Sequence, residues 1–300
     1  MNDVVTRFAP SPTGYLHIGS IRTALINYIF TQQNKLKYSD SKFLLRIEDT
    51  DKIRSNNEYK ESIINGLHWL GIQWDNDIVI QSKRIERHKE IAYKLLKKNL
   101  AFKCVCATEE LEKKRLENKK NHLNVKRLCS TCENNPEIQK SKKNYCIRIK
   151  IPKIDKTSIV DRIQGNVDVE NKELDNFILL RKDNTPTYML SVVVDDHDMG
   201  VNNIIRGDDH LNNTFRQLHI YNHLDWKIPQ YAHLPLLHGI DGAKLSKRHG
   251  AFDIIEFKKN GYLPQSIINS LILLGWSPKK SDEIIELNEI IKIFDINDLS

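Results

Sequence analysis

Two short segments of this 300-residue chain carry the residue types of anion chemistry, and they lie near opposite ends of it. In the first, Pro10, Ser11, Pro12, Thr13 and Gly14 must form a loop, because two prolines and a glycine forbid regular pairing. His17, Ile18, Gly19 and Ser20 follow at the mouth of a predicted helix. Free N–H groups and the positive end of the helix dipole attract anions there; Gly19 permits close approach of a phosphate or a flat ring, and His17 can donate to an oxygen. An ordinary tight turn with a half-buried histidine is the alternative for this segment alone. The second segment is Lys244, Leu245, Ser246, Lys247, Arg248, His249 and Gly250, with Gly239 and Gly242 before it. Its clustered cations repel one another unless an anion is bound, so a triphosphate suits it. A solvated basic loop is the alternative.

A third constellation suits a metal. Cys104 and Cys106, with Cys129 and Cys132, offer four thiolates in two close pairs, a structural zinc pattern for which four free thiols are the alternative. Cys146 falls inside a predicted strand and reads as a buried core thiol.

The elements that must position these residues follow from hydrophobic spacing. Residues 4–9 read as a short buried strand. Ile21, Ala24, Leu25, Tyr28 and Ile29 recur three and four apart, the stripe of a helix beginning near Gly19 and Ser20. The apolar run 43–47 fits a strand buried on both faces of a parallel sheet. Ser55 to Glu58 has the pattern of a capping box, and Ile63, Ile64, Leu67 and Leu70 carry the next helix to Gly71. A further helix is predicted over 84–98. From about residue 101 the alternation breaks, with cysteines, basic runs and a strand-like stretch at 145–151. It resumes with a predicted buried strand at 189–194, a strand at 203–206, and a helix holding Leu211, Phe215 and Leu218. Beyond Gly250 the pattern turns helical, with Ile267, Ile268, Leu271 and Leu274 on one face and Ile290, Ile291 and Phe294 on a further helix.

The expected fold is α/β, a Rossmann-type doubly wound parallel sheet interrupted by an inserted α+β domain and followed by a helical region. The expected boundaries are 1–100 and 185–240 for the two halves of the sheet domain, 101–184 for the insertion, and 241–300 for the helical region.

Composition limits the function classes. No stretch approaches the roughly 20 apolar residues that span a bilayer, and the N-terminus lacks a signal-peptide layout, so a soluble cytoplasmic protein without a membrane partner is expected. Five cysteines are an odd number for a disulfide framework. Against 39 Asp and Glu stand 46 Lys and Arg, for a net charge of +7. Between Lys103 and Lys150 there are 13 basic and 6 acidic residues, so the whole excess sits in that segment. A polyanionic partner would dock there, a solvated lysine-rich face being the alternative.

Together the two anion-binding segments resemble the paired signature motifs of class I aminoacyl-tRNA synthetases. The wording departs from the commonest form at Ser20, where many class I enzymes carry histidine, and at Leu245 and Arg248. Residues 7–14, 46–51, 186–188, 194–199 and 205–210 resemble, in order, segments of the glutamyl branch of that family, and the similarity runs from Val4 to the end. The resemblance implies ATP-dependent activation of L-glutamate and its transfer to the terminal ribose of tRNA(Glu), by an enzyme that generally requires tRNA for the first step and takes ATP with Mg²⁺. It places Arg7, Ala9, Ser11, Glu48, Tyr188 and Arg206 around glutamate, with the two arginines on its carboxylates and Glu48 on its ammonium. It places His17, Gly19, Asp209, Lys244, Leu245, Ser246, Lys247 and Arg248 around ATP. Catalysis would be alignment and charge stabilisation by His17, Lys244 and Lys247, without a protein nucleophile. The insertion resembles the part that binds the tRNA acceptor end, where bacterial relatives often carry Zn²⁺, with a histidine at the fourth place in some; here Cys104, Cys106, Cys129 and Cys132 would hold it. The expectation includes a monomer, and a fragment of a longer protein, since full synthetases of this branch add an anticodon-binding region. Two other functions fit less of the chain: a paralogue that glutamylates a queuosine base of tRNA(Asp), and a non-catalytic RNA-binding relic.

Overall fold

A computed structural model describes residues 3–51, 53–121, 129–142, 144–239, 241–242, 253–278 and 283–299. The strand β1 (Val5–Phe8) leads through the proline loop to helix α1 (Ile18–Lys35) and strand β2 (Lys42–Ile47). β1 and β2 run parallel, from Val5 opposite Lys42 to Phe8 opposite Leu45. Helix α2 (Asn57–Trp69) connects to the short strand β3 (Val79–Ile80), parallel to β2. Asn56 rather than Ser55 caps α2: its side chain accepts from the Glu58 N–H, whereas the Ser55 hydroxyl is buried without a described partner. Gly71 ends that unit with a positive φ of 73°, a conformation that suits glycine.

Helix α3 (Ile85–Lys97) then enters the irregular segment. Strands β4 (Ala101–Cys104), β5 (Cys146–Ile149) and β8 (Ile178–Leu180) make a small antiparallel sheet in the order β4-β5-β8. Helices α4 (Thr108–Lys120), α5 (Ser130–Glu133) and α6 (Pro136–Lys140) lie between β4 and β5 in sequence. α4 buries no residue, as its run of charged side chains dictates. The hairpin β6 (Lys156–Asp161) and β7 (Gly165–Glu170) does not join this small sheet. It extends the sheet of β9 (Asn203–Gly207) and β10 (Gln230–Leu234), in the order β7-β6-β10-β9. Part of segment 101–184 is therefore built onto the sheet that the segment was expected to interrupt.

β9 meets β1 edge to edge through Asn202, whose N–H donates to the Val5 carbonyl at 3.1 Å and whose side-chain oxygen accepts from the Val5 N–H at 2.8 Å. The strands thus follow β3-β2-β1 and then β9-β10-β6-β7, a doubly wound layout whose winding order reverses between β1 and β9.

Residues 189–194 are not a strand but lie in helix α7 (Tyr188–Asp198). An apolar run of this length fits a buried strand or a buried helix equally well. Here Leu190 to Asp196 are buried without a break, so burial on all sides overrides the β preference of three valines. Helix α8 (Leu211–His223) follows β9. Helices α9 (Ile254–Lys259), α10 (Pro264–Leu273) and α11 (Leu287–Ile293) close the described chain. α10 buries Ile267, Ile268, Leu271 and Ile272. Leu274, expected on that face, lies past the helix end and is 45% exposed. One apolar core joins α1, β2, α2, α10 and Trp276; a second joins α3, α7, α8 and the β5-β8 region.

Candidate active site

Parallel sheets bind ligands outside the carboxyl ends of their strands, at the switch point. A cleft of about 330 Å³ lies there, lined by Arg7, Phe8, Ala9 and Ser11 from β1 and its loop, and by His17, Gly19 and Thr23 from the start of α1. Glu48 after β2, Tyr188 at the start of α7, Arg206, Asp209 and His210 from β9 and its turn, and Leu234 to Leu237 after β10 complete the lining. Arg7, Ala9, Ser11, His17, Gly19, Glu48, Tyr188, Arg206 and Asp209, each singled out in the sequence, all border this one cleft. Lys244, Leu245, Ser246, Lys247 and Arg248 lie outside the described residues. Their flanks do not: Leu236 and Leu237 line the cleft, and Ile254 donates to the Leu16 carbonyl at 3.1 Å. A larger hollow of about 980 Å³ sits at the other, amino ends of the strands, beside Asp3, Asn202 and Gln230, where this architecture does not place its ligands.

His17 is the N-cap of α1, its Nδ1 accepting from the Ser20 N–H at 3.3 Å. A Cβ on Gly19 would press to 3.3 Å from that same nitrogen. A Cβ on Gly207 would lie 2.7 Å from an Asp209 carboxylate oxygen, so a side chain there would displace Asp209 from the rim.

The floor holds two kinds of buried arginine. Arg7 Nε and Arg46 Nη1 both donate to Asp196 Oδ1, at 3.1 and 2.6 Å, and Arg46 also pairs with Glu48 at 3.0 Å. Two cations and two carboxylates balance. Burial pushes the Glu48 carboxyl up, with Arg46 opposing it; burial likewise works against ionised Asp196, yet Arg46 and Arg7 keep its pKa low. Arg206 differs. It is 5% exposed, and its acceptors are all neutral: His233 Nε2 at 3.2 Å, Thr214 Oγ1 at 2.7 Å, Gln217 Oε1 at 2.9 Å and the His210 carbonyl at 3.3 Å. Its Nη1 is buried without a described hydrogen-bond partner. Among the described residues no carboxylate pairs with Arg206, nor with Arg22, another buried cation of the lining. Burial, then the charge of Arg206, lower the His210 pKa to about 4, so it faces the cleft neutral, bonded to the Tyr188 hydroxyl at 2.9 Å.

Arg22, Arg46, Asp161, Asp196, His210, Thr214, Gln217 and His233 were given no role from the sequence. A signal existed for two of them. Arg46 and His233 are polar residues between apolar neighbours within buried strands, and such residues persist only with partners.

The cysteines of the small sheet and its helices lie near one another. Cys104 Sγ lies 3.4 Å from Cys129 Sγ, and Cys106 Sγ 3.4 Å from Cys132 Sγ, while Cys104, Cys106 and Cys132 lie within 4.8 Å of one another. A tetrahedral zinc thiolate site separates its sulfurs by about 3.8 Å; Cys104, Cys106 and Cys132 lie close enough together to share such an ion, which would tie β4 to α5, whereas Cys129 approaches Cys104 but falls outside that group of three. Cys146 faces Cys104 across the β4-β5 ladder and is buried.

The switch-point cleft and its strand order define a domain of the doubly wound α/β class. The family model of class I tRNA synthetases (E and Q), catalytic domain, matches residues 3–300, and the chain belongs to this family. It is 51% identical over 294 residues to glutamate–tRNA ligase 2 of Zymomonas mobilis, covering 98% of this chain and 60% of that protein. It is 51% identical over 302 residues to glutamate–tRNA ligase 2 of Rickettsia bellii, covering 99% of this chain and 63% of that protein. The crystal structure of a glutamate tRNA ligase from Elizabethkingia meningosepticum, in complex with its amino acid, superposes with a TM-score of 0.89 at 32% identity, covering 99% of this chain and 66% of that one. The chain thus spans about two thirds or less of the length of these relatives. No described helix is long and apolar enough to cross a membrane.

Proposed function

We propose that the chain is the catalytic part of a glutamate–tRNA ligase. Glutamate would occupy the Arg206 end of the cleft, and ATP the end beside His17, Gly19 and Asp209. The observation that carries this reading is the buried guanidinium of Arg206 surrounded only by neutral acceptors. A buried cation without a counter-charge is costly, and a substrate carboxylate removes that cost. Arg7, already paired with Asp196, adds positive potential more than a free fork. Glu48, bordering the same space and ion-paired with Arg46, would take the ammonium.

ATP would lay its phosphates at the N-terminus of α1, where backbone N–H groups and His17 meet them, with Lys244, Lys247 and Arg248 closing over them. Magnesium would enter as the ATP complex; among the described residues the sole cluster of three metal-binding side chains is the cysteine one, away from the cleft. The α-carboxylate of glutamate then attacks the α-phosphorus and pyrophosphate leaves; the terminal ribose hydroxyl of tRNA(Glu) attacks the resulting acyl-adenylate, takes the acyl group and releases AMP. The basic segment 103–150 would receive the acceptor end. Arg7, Ala9, Ser11, Tyr188, Leu245 and Ser246 have lining roles in this reading, and the four cysteines a structural zinc.

ATP–pyrophosphate exchange by the full-length protein tests it. Exchange is expected with L-glutamate in the presence of tRNA, and not with L-aspartate. Exchange that ignores glutamate, or none in any combination, would overturn the proposal.

A further inference from the structure

The side chains behind Arg206 form a line that ends outside the cleft. His233, in β10, is fully buried; its Nε2 meets the Nε–H of Arg206 at 3.2 Å and the Thr214 hydroxyl at 3.0 Å. Its Nδ1 meets Asp161 Oδ2 at 2.6 Å. Asp161 ends β6, the inner strand of the hairpin, and is 3% exposed. Its other oxygen accepts backbone N–H groups of Ile163, Gln164 and His233 at 3.0, 2.9 and 3.1 Å. A carboxylate so held cannot turn away.

The chemistry of the imidazole follows from these neighbours. An arginine can only donate and an ionised carboxylate can only accept. His233 therefore carries its proton on Nδ1, toward Asp161, and presents the Nε2 lone pair to Arg206. The other tautomer would set N–H against N–H at Arg206 and a lone pair against the carboxylate. Burial and the Arg206 charge keep the ring neutral, although Asp161 pulls the other way.

We infer that Asp161 and His233 are positioning residues for substrate binding: Asp161 selects the tautomer of His233, and His233 fixes Arg206 so that Nη1 is left for the ligand carboxylate. The inference rests on the proposed amino-acid role of the cleft. It also makes the hairpin 156–170, which lies beyond β10 from the cleft, a structural support of the amino-acid site.

Two substitutions at one position separate this role from a merely structural one. Glutamine reproduces the position of Nε2, and asparagine that of Nδ1. In the full-length protein, His233→Asn keeps a donor for Asp161 but removes the acceptor from Arg206, whereas His233→Gln does the reverse. In tRNA-dependent pyrophosphate exchange, His233→Asn is expected to raise the glutamate KM roughly ten- to hundredfold, the range for losing a hydrogen bond to a charged group, with the ATP KM unchanged. His233→Gln should recover most of that loss. A glutamate KM unchanged in both, or asparagine rescuing better than glutamine, would overturn the inference. Should either variant fail to fold, Asp161→Asn decides: with the tautomer no longer imposed, the glutamate KM should rise while the ATP KM holds, and an unmoved glutamate KM would count against the inference. Wild-type protein inactive under the same conditions would instead count against the function proposed for the cleft.

Discussion

His17 and Asp253 form an isolated antiparallel bridge, joining the loop at the start of α1 to the residue that opens α9. The Asp253 carboxylate caps α9, accepting from the N–H groups of Ile255 and Glu256 at 2.8 and 2.9 Å. Asp253, three residues beyond the basic segment in sequence, thereby sits beside the first anion-binding loop. Asp253→Ala should cost about 1 kcal/mol of stability through the lost cap, and raise the ATP KM about fivefold while leaving the glutamate KM unchanged. Thermal unfolding and exchange kinetics measure both; an ATP KM at the wild-type value would show that this cap does not serve the nucleotide.

The paired arginines predict a stability effect that the unpaired one does not. Arg46 is fully buried between Asp196 and Glu48, so Arg46→Met leaves two carboxylates buried with half their counter-charge. A loss of about 3–5 kcal/mol is expected, read by urea unfolding, and a loss under about 1 kcal/mol would contradict the network.

Asp161 predicts a pH dependence. Burial opposes its ionisation, but hydrogen bonds from His233 and three backbone N–H groups hold its pKa at about 2, below the ordinary 3.8. A depressed carboxylate pKa stabilises the fold above the unfolded-state value and loses that contribution as pH falls through the folded one. The stability gap between wild type and Asp161→Asn should therefore be full above about pH 4 and shrink toward pH 2. Urea unfolding across that interval checks it, and a gap independent of pH would contradict the assignment.

Zinc makes a separate prediction. Protein purified without added metal should carry one zinc per chain, and chelation should lower the melting temperature, because an ion shared by Cys104, Cys106 and Cys132 would tie the end of β4 to the short helix α5. A metal-free, fully folded sample would reject the site.

How far the sequence revealed this molecule depended on whether the signal was local. The opening strand, helix and strand were legible because Ile21, Ala24, Leu25 and Ile29 mark one helical face and residues 43–47 are apolar throughout. Val192, Val193 and Val194 misled because a short apolar run does not declare its period, and the decision between strand and helix was made by burial on every side of α7. The cleft's rim was legible through its motifs. Its inner layer was not: Arg46 meets Asp196, and Asp161 meets His233, across separations that only the folded sheet brings together. The hairpin 156–170 likewise reads as part of an insertion until β6 is seen beside β10.

The direct test of the account is the glutamate dependence of exchange in full-length Arg206→Met beside wild type. Removing one partner of a buried charge pair costs about 2–5 kcal/mol, so kcat/KM for glutamate should fall by about two to three orders of magnitude while the ATP KM holds. A variant that uses glutamate as well as wild type would contradict the central claim that Arg206 is the buried cation awaiting the substrate carboxylate.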